Sequence, residues 1–201
     1  DLAKMLAMLD LISELEEDGR FRVWRQTRAG LASFPADLDM AKGQLASSTM
    51  LQMALRPHIV HVVAHCEADH AATPTDIIEA VKIARGVIKN AIHGLPDLTS
   101  DPVVQERRRD LAQEARSVLE GLQGLAPEGR DAWSDPDVLG RSVRLGIFDA
   151  PHLAASGVAP GRLKTRFFNG ACAAVDPETL APIGEGERVA KILAGRIKEA
   201  V

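Results

Sequence analysis

The run His58-Ile59-Val60-His61-Val62-Val63-Ala64 constrains this chain more than any other segment. It is short, β-branched and almost continuously apolar. That is the pattern of a parallel strand covered on both faces, since helices cover both sides of a parallel sheet and remove the in/out alternation of a half-exposed strand. Before it, Leu38, Leu45, Met50, Leu51, Met53 and Ala54 mark a helix from Asp37 to Leu55, closed by Arg56-Pro57. After it, Thr73-Pro74-Thr75-Asp76 opens another helix. Thr73 suits the cap, Pro74 the first helical position, and Asp76 stands three residues after the cap. A strand framed by helices in this way is the repeating unit of an α/β fold.

The remaining segments extend that reading. A helical pattern (Leu2, Met5, Leu6, Leu9, Ile12, Leu15) opens the chain without a cap, so a segment of a longer polypeptide, or one half of a barrel, is expected. Phe21 to Trp24 alternates apolar and basic residues like a short strand. The helix opened at Thr73 runs to about Ile92, and Asp101-Pro102 starts another with Val103, Val104, Leu111, Ala115, Val118, Leu119 and Leu122 on its apolar side. A Gly/Pro-rich stretch leads to a short helix at Val138 to Leu145, and Gly146 to His152 reads as a short strand feeding a loop. Arg162 to Phe168 and Gly170 to Val175 suggest a hairpin, with a closing helix from Glu185 to Ala200. The expected fold is α/β, the C-terminal portion of a TIM-type (β/α) barrel with a small C-terminal hairpin and helix extension. The strands are too few for a complete eight-stranded barrel. Residues 1–145 form the partial barrel half in this reading, and 146–201 the last strand and extension.

Composition excludes several function classes. With 46% hydrophobic and 26% charged residues the chain has enough apolar content to fold. The net charge is -4, and the one basic run, Arg107-Arg108-Arg109, lies among acidic residues in a helix pattern, so no nucleic-acid partner is expected. No apolar run approaches the roughly 20 residues that span a bilayer. Cys66 and Cys172 are far apart and outside any Cys-x-x-Cys spacing, which points to a reducing compartment. No membrane partner and a cytoplasmic location are expected.

Ligands of parallel α/β folds bind at the carboxyl ends of the strands, where this sequence places His65, Cys66, Glu67, Asp69 and His70. Two imidazoles, a thiol and two carboxylates within six residues have the chemistry to transfer protons, ligate a metal or hydrogen-bond a polar ligand. The spacing His-x-x-x-Asp-His matches no zinc signature, so polar ligand binding is favoured and no metal is expected. His61 is expected to be a satisfied core histidine and Cys66 a small buried thiol, not a nucleophile. Arg25, Gln26 and Arg28, after the first strand, offer guanidinium groups to a carboxylate or phosphate. Asp149-Ala150-Pro151-His152 is read as a tight turn.

The order of these elements resembles the C-terminal part of the larger, epsilon chain of adenosylcobalamin-dependent glutamate mutase (methylaspartate mutase). The resemblance rests on Arg25-Gln26 through Phe34-Pro35, the small-residue helix from Ala41 to Leu55, the Val/Ile strand and Pro-Thr helix start from Ile59 to Thr75, and the tail features Asp149 to Pro151, Gly161-Arg162 and Cys172. It implies a barrel stacked on a separate cobalamin-binding subunit, with the N-terminal half of the barrel as a further partner. It also implies adenosylcobalamin bound jointly with that subunit, and carbon-skeleton rearrangement of a small acidic substrate. The family's strand-terminal Lys falls on His65, and the Glu that binds the adenosyl ribose falls on Asp69. His65, Glu67, Asp69 and His70 are thus the expected cofactor-facing residues and Arg25, Gln26 and Arg28 the expected substrate-binding residues. No catalytic residue is assigned. The alternatives are a mutase-like barrel retained as a binding or scaffold partner, or a metal-dependent lyase or hydrolase using His65, Asp69 and His70.

Overall fold

The computed structural model describes residues 1–16, 21–29 and 34–199. The chain is mixed α/β, mostly helical, and divides into two compact units, Asp1–Arg109 and Asp110–Val201. The division falls between Arg109 and Asp110, upstream of the expected boundary after residue 145. It lies within a helix whose first turns pack in the first unit, where Val104 joins Leu2, Leu6 and Leu55.

The first unit contains α1 (Leu2–Glu16), β1 (Gln26–Arg28), α2 (Leu38–Met53), β2 (Ile59–His61) and α3 (Pro74–His93). Strands β1 and β2 pair in parallel, with Gln26 opposite Ile59, Thr27 opposite Val60 and Arg28 opposite His61. This is a β–α–β unit with α2 as the crossover. Helix α2 begins where the Asp37 side chain accepts from Met40 N. It buries Ala41, Leu45 and Thr49, and Leu45 and Ala41 pack with Ala29, Phe34, Val63 and Ala80 in one core cluster. Small residues at Ala41, Ala80 and Ala84 leave no side-chain bulk at the buried positions where α2 and α3 face the core.

Two expectations are corrected here. Phe21 to Trp24 is not a strand: Phe21 and Trp24 are exposed, and the strand lies further on, at Gln26–Arg28. The pairing partner decides this, because the His58 and Ile59 amides both donate to the Arg25 carbonyl and so set the register from a distant segment. Nor is the strand at residues 58–64 covered on both faces. Only Ile59–His61 is strand, Ile59 is 48% exposed, and His61 is an exposed residue in place of a core histidine. Burial begins after the strand, at Val63 and Ala64.

The second unit holds the end of α4 (Pro102–Gln123), α5 (Pro136–Leu145), the hairpin β3 (Lys164–Phe168) and β4 (Ala171–Val175), and α6 (Glu185–Glu199). Asn169 and Gly170, at φ +48° and +81°, join the two antiparallel strands in the mirror-image turn that suits hairpin twist. Leu122, Leu125, Ala132, Val138, Ile147 and Val189 make the core. The expected strand at Gly146 to His152 is absent. Gly146 ends α5 in the left-handed conformation at φ +86°, and Asp149 then gathers backbone amides that a ladder would have used. The turn expected around Asp149 to His152 is present, as a single helical turn over Pro151–Leu153. No helix among the described residues is long and apolar enough to cross a membrane.

Candidate functional site

Residues after β2 fold into a short 3-10 turn, His65–Ala68, before Thr73 caps α3. The Cys66 carbonyl accepts from the Asp69 and His70 amides, each at 2.8 Å, which turns the chain back over the end of β2. Thr73 and Asp76 form a reciprocal capping box: Asp76 Oδ2 accepts from Thr73 N at 2.9 Å and from the Thr73 hydroxyl at 2.5 Å, while Asp76 N donates to Thr73 Oγ1.

This local architecture sorts the expected residues into two layers. His65 is 1% exposed, with Nε2 3.7 Å from Glu79 Oε2 on α3 and Nδ1 without a hydrogen-bond partner among the described residues. Lys42 Nζ on α2 meets the other Glu79 oxygen at 2.9 Å, and that hydrogen bond pushes the lysine pKa up. Lys42, Glu79 and His65 thus tie α2, α3 and the turn together. Glu67, Asp69 and His70 form the outer layer and are exposed. The His70 ring bridges two carboxylates, with Nδ1 2.8 Å from Asp69 Oδ2 and Nε2 3.4 Å from Asp76 Oδ2. Both partners, Asp69 foremost, raise the His70 pKa. The Thr73 hydroxyl and amide hold the Asp76 carboxyl down at about 2. Cys66 is fully buried, as expected of a small apolar thiol, and burial pushes its pKa up.

Gln26 and Arg28 lie on β1 and Arg25 immediately before it, not in a loop after the strand. All three line one cavity of about 770 Å³ bounded by α1, β1 and α2. Its walls are apolar at Met5, Leu9, Ile12, Leu51 and Leu55 and polar at Gln44, Ser48, Gln52 and Thr27, whose buried hydroxyl has no partner among the described residues. Arg25 sits at the amino end of β1, where its Nε donates to the Arg56 carbonyl and its amide to His58 Nδ1. Arg28 sits at the carboxyl end, opposite His61. The structure therefore places Arg28 at the same end of the sheet as the His65–His70 turn and Arg25 at the other.

No protein-family model matches the sequence, and no curated protein matches it.

Sequence reasoning missed Lys42, Glu79 and Asp76. Asp76 was legible as a capping residue, but its second role, receiving His70 across the loop, depends on the turn at Cys66 and has no signature in spacing. Cys66, His70 and Asp76 bring one sulfur, one nitrogen and one oxygen within 4.8 Å of each other, although no metal group was expected.

Proposed function

We propose that this chain is a component of a cobalamin-dependent carbon-skeleton mutase of the glutamate mutase type, contributing part of a (β/α) barrel and acting on a small acidic substrate. The observation that supports this best is the incompleteness of a parallel sheet whose carboxyl end carries a polar cluster. β1 and β2 each have one strand neighbour among the described residues, and Ile59 and His61 are exposed on β2. Parallel strands are normally covered on both faces, so the pair calls for further strands and helices, the place an N-terminal barrel half would take.

The residues at the strand ends fit a nucleoside group in part. Asp69 offers one oxygen to His70, which leaves acceptor capacity for ribose hydroxyls, and Glu67 and His70 lie exposed on the same turn. His65 lies beneath them, engaged with Glu79, and in this reading supports the turn without touching the cofactor. Adenosylcobalamin, held jointly with a cobalamin-binding subunit, supplies the radical chemistry; the protein supplies binding and orientation. Arg28, with Gln26, faces the cavity in which a small dicarboxylate is held by its guanidinium.

Substituting Asp69 with Ala separates this reading from a scaffold role. In the full-length protein assembled with its cobalamin-binding partner, D69A is expected to lower turnover by at least about 100-fold, the order expected when a positioning contact to a reacting group is lost, with the circular dichroism spectrum unchanged. Unchanged turnover sinks the adenosyl assignment of Asp69. Retained partner affinity with no activity in the wild type favours the scaffold.

A further inference from the structure

We propose that Cys66, His70 and Asp76 form a binding site for a zinc-class divalent cation, with Asp69 orienting His70 from behind. The site pins the strand-end turn to the first turn of α3. It goes beyond the mutase reading and does not depend on it.

The donor set is the first argument. A thiolate, an imidazole and a carboxylate together suit a borderline-soft ion, and three protein ligands with a fourth position left to water is a common zinc arrangement. The three donor atoms already converge, all within 4.8 Å of one another, and they come from the 3-10 turn, the loop after it and α3. In a tetrahedral site with bonds near 2.0–2.1 Å, nitrogen and oxygen ligands stand about 3.3–3.4 Å apart. His70 Nε2 and Asp76 Oδ2 are 3.4 Å apart, so the imidazole and the carboxylate already stand side by side at about the separation of one edge of the tetrahedron. The sulfur has to close the remaining distance.

The second argument is the shell outside the donors. A metal-bound histidine usually gives its other ring nitrogen to a carboxylate, which fixes the tautomer and the ring plane. His70 Nδ1 has that partner in Asp69 at 2.8 Å. Asp76 is held in turn through Oδ2 by the Thr73 amide and hydroxyl, so the ion takes the other oxygen of the same carboxylate, Oδ1, and the cap is kept. Cys66 is fully buried while His70 is 40% and Asp76 19% exposed at the side chain, which gives the ion an approach from the solvent side and a protected sulfur beneath. Binding replaces the Cys66 thiol proton and the hydrogen that His70 Nε2 gives to Asp76, both of which leave to solvent, while Nδ1 keeps its hydrogen to Asp69; no oxidation state changes.

The experiment uses the full-length protein stripped with chelator and titrated with Zn(II) against a chromophoric competitor, then refilled with Co(II) for absorption spectroscopy. One zinc per chain is expected, with a thiolate-to-cobalt charge-transfer band in the near ultraviolet. C66S is expected to lose the band and C172S to keep it. H70Q and D76N are expected to weaken zinc by about 100-fold or more, and D69N by about 10- to 100-fold, the range for second-shell carboxylates. Failure of the wild type to take up stoichiometric zinc overturns the proposal and leaves a cluster held by hydrogen bonds alone. So does a charge-transfer band that disappears in C172S and persists in C66S. If C66S does not fold, the wild-type and C172S spectra decide the matter. Zinc uptake that meets these criteria supports the site whether or not the protein binds cobalamin, so the two readings fail separately.

Discussion

Leu45→Ala is expected to cost the first unit about 3 kcal/mol of stability, within the roughly 2–5 kcal/mol range for leucine truncations that leave a cavity. Leu45 is 2% exposed on α2 and packs in the cluster that includes Ala29, Phe34, Ala41, Val63 and Ala80. Two of those residues, Ala41 and Ala80, are fully buried alanines, so the neighbours have few side-chain atoms with which to fill the space. Met40, on the same helix and 66% exposed, is the control: M40A is expected within about 0.5 kcal/mol of wild type. The measurement is urea denaturation with hydrogen exchange at α2 amides, because the two units need not unfold together. A loss below about 1 kcal/mol for L45A would mean that this cluster is not the core of the unit.

Asp149→Ala is expected to have a comparable effect on the second unit, about 3 kcal/mol, from lost charge-assisted hydrogen bonds worth roughly 1.5–3 kcal/mol each and partly replaced by water. Asp149 Oδ1 accepts from the Ala150 and Gly161 amides at 2.9 Å, and Oδ2 from Arg162 and Leu163 at 2.8 and 3.1 Å. Four donors converge on one side chain and none has an obvious substitute. Asn keeps one oxygen and sets an amide donor against the other pair, so D149N is expected to lose about half as much. The pH dependence follows from the same geometry. Burial alone would raise the Asp149 carboxyl, but the amides of Leu163, Arg162, Ala150 and Gly161 outweigh it and hold it below the usual carboxylate range. Its contribution is thus complete above the ordinary aspartate value of about 3.9 and is lost as pH falls through the lower folded value. The urea midpoint of wild type should fall more steeply than that of D149N between pH 4 and pH 2. Parallel acid limbs would refute the assignment.

Gly161 shows how tightly the same loop is built. At φ +61° it occupies the left-handed region, and a Cβ there would collide with the Ala154 backbone. The loop therefore closes only with glycine at this position, and Asp149 fastens it on the other side.

Local signals were the legible part of the fold. Thr73-Pro74 with Asp76 marks the start of α3, and the segments 162–168 and 170–175 read as a hairpin; both form through contacts close in sequence. What was not legible depends on distant partners. Phe21 to Trp24 has a strand-like alternation, yet the ladder forms at the polar Gln26–Arg28, because Arg25 accepts from the amides of His58 and Ile59. The site divides in the same way. The strand-end position of residues 65–70 was readable from the β-branched run alone. That His65 turns inward to Glu79 while Asp69 and His70 turn outward depends on the 3-10 turn at Cys66, which no periodicity announces.

The incomplete parallel pair, the polar turn beyond it and the arginine-lined cavity together support the proposed mutase function. Its most direct test is electron paramagnetic resonance of the full-length protein mixed with its cobalamin-binding partner, adenosylcobalamin and a small dicarboxylic amino acid such as glutamate. The expected result is a cob(II)alamin signal that appears only when substrate is added. Absence of adenosylcobalamin binding, together with no substrate-dependent signal across a panel of small acidic substrates, would contradict it.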